Sequence, residues 1–226
     1  MGYRIPFLAP PPRMFRQTPL PRSLVKRDCL LQGIQQLLEK AAVVEVPKDQ
    51  WFQGYYSILF LVQKLSGAFR PVLDLKEVNL FIPHVSFKMM SLQVILPLLR
   101  QGDFLCALDL LDAYLHVPIH PASQQFLRFA VEGRHYQFQV LPFGLSSAPR
   151  VFTKVLAPVV GILHSSSIQI YPYLDDCLIV SSSLFKAREE IQVVCSVLRQ
   201  YGFLLNLSKS HLQPSHRLQF IGALFQ

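Results

Sequence analysis

The stretch IQIYPYLDDCLIVSSS, Ile168 to Ser183, restricts the fold more than any other part of the chain. Asp175 and Asp176 stand side by side inside an otherwise apolar run. An ionised carboxylate taken out of water is costly unless it is paired or bound to a cation. The run therefore reads as two strands, Ile168–Tyr173 and Cys177–Ser181, joined by a tight turn at Leu174-Asp175-Asp176 that lifts the acids to a hairpin tip. The chain has eight aspartates, and two more, Asp109 and Asp112, lie in CALDLLDAYLHVPI. Here a short apolar strand, Phe104–Leu110, carries Asp109. If the two apolar segments are neighbours, three carboxylates meet. Hard oxygen ligands gathered in this way suit Mg²⁺, which keeps waters and binds substrate phosphates. Two such ions about 3.5–4 Å apart stabilise both oxygens of an in-line displacement. A pair of solvated turn aspartates has the same local sequence, so the stretch alone leaves both readings open.

The rest of the chain reads as α+β. Leu24, Leu30, Leu31, Ile34, Leu37 and Leu38 recur at near-helical spacing behind Ser23, a candidate N-cap. Val43–Val46 is a short strand. Ser57–Val62 and Pro71–Leu75 are strands about a Ser66-Gly67 turn, and Glu132-Gly133-Arg134 joins Phe126–Val131 to His135–Val140. Helices are expected at Ser91–Arg100, at Ala148–Leu163, bent or broken near Pro158, and at Phe185–Tyr201, stopped by Gly202. Arg217–Phe225 closes the chain as a strand. The elements interleave without a strict βαβ rhythm. Residues 1–22 hold six prolines and are expected to form an extended arm.

With 226 residues the chain is one domain, or one domain with two lobes. Its hydrophobic fraction of 51% excludes a disordered chain, and its formal charge of +8 suits a polyanionic partner such as nucleic acid. Cys29, Cys106, Cys177 and Cys195 form no CxxC pair, which argues against structural zinc and for scattered thiols in a reducing compartment. The apolar run Val155–Leu163, interrupted by Pro158 and Gly161, falls far short of the roughly 20 residues that cross a bilayer. No signal-peptide core is present. These features imply an intracellular protein, cytoplasmic or nuclear, without a membrane partner.

The motifs LDLLDAY, VLPFGLSSAPRVF and YLDD, in this order over roughly residues 23–226, resemble those of reverse transcriptases. LPFGLSSAPRVFTK, FRPVLDLKEVN and VPIHP are especially similar to DIRS-type (tyrosine-recombinase) retrotransposons, with gypsy-type LTR elements next nearest. The resemblance implies a right-hand polymerase fold with fingers and palm only, the palm an antiparallel sheet backed by helices. It places the fingers at about 23–83 and 117–147 and the palm at about 84–116 and 148–226, with no thumb or RNase H region within the chain. In a complete element an RNase H region is expected downstream. The implied activity is RNA-directed DNA synthesis on an RNA or DNA template with a primer, from dNTPs. Two Mg²⁺ ions, or Mn²⁺, would be held by Asp109, Asp175 and Asp176 with the backbone of Leu110. Leu110, Leu111, Asp112 and Ala113 would offer backbone N–H groups to the triphosphate, and Tyr114 would be the steric gate under the sugar. Lys64 and Arg70 would grip the triphosphate. Phe143 stands where some retroviral enzymes carry Gln, Gly144 permits close backbone approach, and Lys209 would protonate the pyrophosphate leaving group. LQFIGALF matches the primer-grip hairpin.

The sequence departs from that pattern in the fingers, where Gln63, Ser66 and Phe69 replace a basic residue, an aspartate and a tryptophan. Pro172 precedes the acid pair on a strand, where proline is confined to an edge or a bulge. His116 and His120 are four apart, but Pro118 between them spoils a helical metal pair. The alternative to an active polymerase is a catalytically silent, retroelement-derived relic that still binds nucleic acid.

Overall fold

The computed structural model describes residues 2–63 and 67–225, and the chain divides into two units. Unit 1 is Met1–Val85 with Val117–Ala148, and unit 2 is Ser86–His116 with Pro149–Gln226. Lys64 and Ser66 fall outside the described residues. In chain order the elements are α1 (Leu24–Glu39), β1 (Val43–Glu45), β2 (Leu59–Gln63), β3 (Phe69–Leu73), α2 (Lys76–Asn79), α3 (Leu92–Ile95) and β4 (Phe104–Asp109). They continue with α4 (Pro121–Gln124), β5 (Arg128–Val131), β6 (Arg134–Phe138), α5 (Ala148–Ser165), β7 (Gln169–Tyr173) and β8 (Asp176–Ser181). The chain closes with α6 (Leu184–Gln200), β9 (His211–Ser215), β10 (Leu218–Phe220) and β11 (Ala223–Phe225).

Unit 1 combines an antiparallel sheet of order β1-β6-β5 with the hairpin β2-β3. Helix α1 packs against β1, β2 and β3 through Leu30, Gly33 and Ile34. A Cβ at Gly33 would lie 2.8 Å from the Pro71 ring, so the small residue sets how closely helix and strand approach. Ser23 occupies the N-cap position but its side chain makes no capping hydrogen bond. The proline-rich residues are extended, as their composition dictates, and they group with unit 1. Single bridges tie Tyr3 to Ile119, Met14 to Tyr55 and Gln17 to Ala130, and Ile5 and Thr18 are buried. Backbone N–H groups between the prolines find partners there, which fixes a segment that cannot be a helix.

Unit 2 is built on an antiparallel sheet of order β7-β8-β4-β9, with the hairpin β10-β11 beside it. Alternation sorts its side chains. Leu105, Leu178 and Val180 share a core with Ile95, Tyr171, Leu218, Phe220 and Phe225. On the other face Ser181 bonds Glu190 of α6, and α6 backs β4, β8 and β9. Pro172 is accommodated because β7 is an edge strand.

Three local expectations are corrected. The helix expected over 91–100 is one turn, α3, followed by a 3₁₀ turn at Leu96–Leu98, because Pro97 cannot continue the α-helical ladder. Helix α5 runs through Pro158 to Ser165. Pro158 is on the exposed side, while Val151, Phe152, Leu156, Val159, Val160 and Leu163 are buried. The closing segment is not one strand but a hairpin, the shape its likeness to the primer-grip hairpin implied. Ile221 and Gly222 both have positive φ, the geometry a two-residue turn needs to match strand twist. Strand β9 was not anticipated, since HLQPS lacks an apolar alternation and contains a proline.

Candidate active site

Strands β4 and β8 pair antiparallel from Phe104↔Ser181 to Asp109↔Asp176. Directly opposed residues of such a pair project to the same side of the sheet, with Cβ atoms roughly 5 Å apart. Asp109 and Asp176 are therefore the terminal rung of a ladder whose same-face neighbours are Ala107 opposite Leu178 and Leu105 opposite Val180. The acids replace apolar side chains at the one position where the core face reaches the sheet's end. Asp175 lies in the two-residue turn between β7 and β8, closed by the Tyr173↔Asp176 pair. Its backbone carbonyl accepts a 2.7 Å hydrogen bond from the Leu110 N–H, which ties the turn to the end of β4. Leu174 in that turn has φ 55°, and Asp112 beyond β4 has φ 51°. Left-handed backbone at non-glycine residues is uncommon, and it occurs here on both sides of the acid rung.

The carboxylates feel one another. Asp176 is pushed up to about 6, first by removal from water and then by the charges of Asp175 and Asp109, against the pull of Lys209. Asp109 is also raised, chiefly by burial, with a hydrogen bond from Asn206 and the charge of Lys209 acting downward. Cys177, next along β8 and facing away, is pushed up to about 12 by complete burial and stays an inert thiol. Among the described residues no three His, Cys, Asp or Glu side chains form a ready-made metal cage. An open set of carboxylates fits a hard cation that retains much of its water and takes further oxygens from a bound phosphate.

The segment after β4 departs in part from its expected role. The N–H of Leu110 is used by Asp175 and that of Leu111 by the Leu204 carbonyl, at 2.8 Å, so neither amide points to a triphosphate in this structure. The side chain of Leu110 is buried. Asp112 accepts a hydrogen bond from the Leu115 N–H and leads into a 3₁₀ turn at Ala113–His116. Tyr114 is half-buried there, its ring edge-on to Phe152 at 5.8 Å. His116 fixes the same region, since its Nε2 accepts from the Leu204 N–H at 3.0 Å and its Nδ1 lies 3.1 Å from the Ala113 carbonyl. Lys209 is exposed, and its charge acts on both Asp109 and Asp176.

Within unit 1, Arg70 of β3 lies face-on to Phe143, its guanidinium carbon 4.0 Å from the ring centroid. Its buried Nε has no hydrogen-bond partner among the described residues. Gly144 has φ 100°, and a Cβ there would meet the Leu73 carbonyl oxygen at 2.5 Å. Asn79 clamps this loop, donating to the Gly144 carbonyl at 2.9 Å and accepting from the Ser146 N–H at 2.9 Å. Lys64, assigned to the same task as Arg70, lies outside the described residues.

Sequence reasoning missed Asn79, His116, Asn206 and Ser210 as members of these arrangements. Asn79 stands in FRPVLDLKEVN and Asn206 lies three residues before Lys209, but polar side chains in loops carry no periodicity that reveals their partners.

Residues 62–225 match the family described as "Reverse transcriptase (RNA-dependent DNA polymerase)". A genome polyprotein of Petunia vein clearing virus (isolate Shepherd) is 25% identical over 189 residues, covering 83% of this chain and 8% of the viral protein. The Pro-Pol polyprotein of Simian foamy virus type 1 is 28% identical over 199 residues, covering 88% of this chain and 16% of that one. The solved structure of a foamy viral protease-reverse transcriptase in complex with dsDNA superposes with a TM-score of 0.83 at 23% identity, over 98% of this chain and 44% of that one. The chain thus spans a small part of the curated relatives it matches.

Proposed function

Because this chain belongs to the reverse transcriptase family, we propose that it carries out RNA-directed DNA synthesis, adding deoxynucleotides from dNTPs to a primer 3′-hydroxyl on an RNA or DNA template. One observation carries the reading. Asp109 and Asp176 are register partners on one face of the sheet, with Asp175 in the adjoining turn. Asp109, Asp175 and Asp176, with the Leu110 carbonyl, would hold two Mg²⁺ ions, or Mn²⁺. When bound, such ions activate the attacking hydroxyl and neutralise charge developing on the triphosphate.

The chain's own residues supply the rest. The clustered acids, raised by burial and mutual repulsion, favour any cation that relieves them. Tyr114 excludes a 2′-hydroxyl by its bulk. Arg70, held flat on Phe143, and Lys64 supply positive charge for phosphate oxygens. Lys209 delivers a proton to the leaving pyrophosphate. Gly144 keeps a backbone surface open where any side chain would collide with Leu73. The finer assignment to DIRS-type elements rests on LPFGLSSAPRVFTK, FRPVLDLKEVN and VPIHP. Coding sequence beyond Gln226 tests it: in-frame RNase H and tyrosine-recombinase regions support it, and their absence from the element counts against it.

Primer extension on matched RNA and DNA templates tests the activity, with an Asp175→Asn/Asp176→Asn double variant alongside. Loss of synthesis by more than about 10²-fold is expected, the scale on which an electrostatic stabiliser of the transition state acts. Undiminished synthesis by the variant rejects the acid site. Template binding by the unaltered protein without synthesis favours the silent relic.

A further inference from the structure

Resting on that reading, we propose that Asn206, oriented by Ser208, is the positioning residue that aims the Asp109 carboxylate at the cation. The ladder between β4 and β9 stops at Ala107↔His211, two residues short of Asp109. The loop before β9 takes over. The Asn206 N–H donates to the Asp109 carbonyl at 2.9 Å, and the Asp109 N–H donates to Ser210 Oγ at 3.0 Å. Ser210 Oγ in turn donates to the Asn206 carbonyl at 2.8 Å. Both backbone polar groups of Asp109 are thus held from one loop, which sets the Asn206 side chain beside the carboxylate, where its hydrogen bonding pulls the Asp109 pKa downward.

Chemistry fixes the direction of that last bond. An ionised carboxylate only accepts, so the Asn206 NH₂ must face it. Ser208 Oγ donates to Asn206 Oδ1 at 2.8 Å, which holds the amide in this orientation. A neutral amide aligns the carboxylate without neutralising it, so the full negative charge is left for a cation. Lysine or arginine in this place would align Asp109 and also compete with the metal. The same loop sets Lys209, whose N–H donates to the Asn206 carbonyl at 3.2 Å. Partners that orient a metal ligand through a hydrogen bond typically change metal affinity or activity by about 10–100-fold when removed.

The test uses the full chain and Mn²⁺ as probe, titrated by electron paramagnetic resonance, with the Mg²⁺ dependence of primer extension measured in parallel. Asn206→Ala is expected to weaken Mn²⁺ binding by about 10–100-fold and raise the Mg²⁺ needed for half-maximal synthesis. Ser208→Ala, which frees the amide to rotate but leaves it in place, is expected to act in the same direction by about threefold, less than the roughly 10–100-fold of removing the partner itself. Leu207→Ala changes an exposed side chain of the same loop and leaves both quantities unchanged. Wild-type Mn²⁺ affinity in Asn206→Ala overturns the proposal, as does an equal loss in Leu207→Ala, which would mark a general loop effect. If Asn206→Ala does not fold, Ser208→Ala against Leu207→Ala decides. If the unaltered chain binds Mn²⁺ but makes no DNA, the polymerase reading falls while the binding series still decides the role of Asn206. If it binds no Mn²⁺, the positioning role falls as well.

Discussion

Arg128 in unit 1 and Asp176 in unit 2 are charged residues on β-strands, drawn out of water, and their surroundings treat them in opposite ways. Arg128 is 3% exposed, and all three of its guanidinium nitrogens are engaged. Its Nε donates to Gln137 Oε1 at 3.0 Å, one terminal nitrogen to the carbonyls of Gln50 and Gln53 at 2.8 and 2.9 Å, and the other to Gln50 Oε1 at 2.9 Å. Asp176 feels two charges of its own sign, Asp175 and Asp109, against the weaker pull of Lys209, and among the described residues no ion pair reaches it within the usual distance. The first is a charge converted into structure. The second is a charge left unsatisfied, which is what a cation-binding or catalytic position requires and what stability alone would remove.

The contrast is broken most directly at Arg128. Arg128→Met leaves two backbone carbonyls and two amide oxygens without the buried donor that joins them, and a loss of about 3 kcal/mol in denaturant unfolding is expected. A neutral result would show that the hydrogen bonds hold nothing together. Gly144→Ala asks whether unit 1 also relies on backbone constraint. With its Cβ driven toward Leu73 at positive φ, a loss of about 2 kcal/mol is expected in the same measurement.

Asp176→Asn should have the reverse sign from Arg128→Met. In metal-free buffer near pH 7.5 it is expected to raise stability by about 1 kcal/mol, less than the full pKa displacement implies, because a partly exposed carboxylate is screened. The sign follows from linkage: a carboxyl raised to about 6 from its ordinary 3.8 contributes stability below pH 3.8 that is lost as the pH climbs through 6. The gain from Asp176→Asn should therefore shrink as the pH is lowered from 7.5 toward 4. His135 gives unit 1 the opposite response. It is buried, stacked on Trp51 at 4.1 Å and bonded to the Tyr56 hydroxyl at 3.0 Å. Burial and the charge of Arg128 hold it below its ordinary 6.5, so its contribution is present above pH 6.5 and fades as the pH falls. Hydrogen exchange followed unit by unit should show unit 1 loosening first on mild acidification, and a uniform response in both units would sink this account. The smallest effect is expected at Ser23→Ala, under about 0.5 kcal/mol by thermal unfolding, since the capping bond that usually costs about 1 kcal/mol to lose is not made.

Legibility followed the range of the interactions. The acid hairpin, the long helices and the β5-β6 turn were readable because periodicity and turn chemistry act over a few residues. The 3₁₀ turn at Leu96–Leu98 and the uninterrupted α5 were not, because the effect of a proline depends on which side of the helix faces water. Strand β9 escaped because only its partner β4 makes HLQPS a strand. The amides of Leu110 and Leu111 seemed available until the fold showed which carbonyls they meet. Asn206 looked like any loop polar residue beside a more conspicuous lysine.

By itself the sequence determined that two apolar strands end in aspartates, since carboxylates cannot lie within a dry strand, and its motifs carried the likeness to reverse transcriptases. Only the tertiary structure decided that Asp109 opposes Asp176, that Asp175 is fastened to Leu110, and that a loop nearly a hundred residues away holds Asp109 in place. Register and long-range hydrogen bonds arise between segments distant along the chain, and the residue types of either segment alone do not contain them.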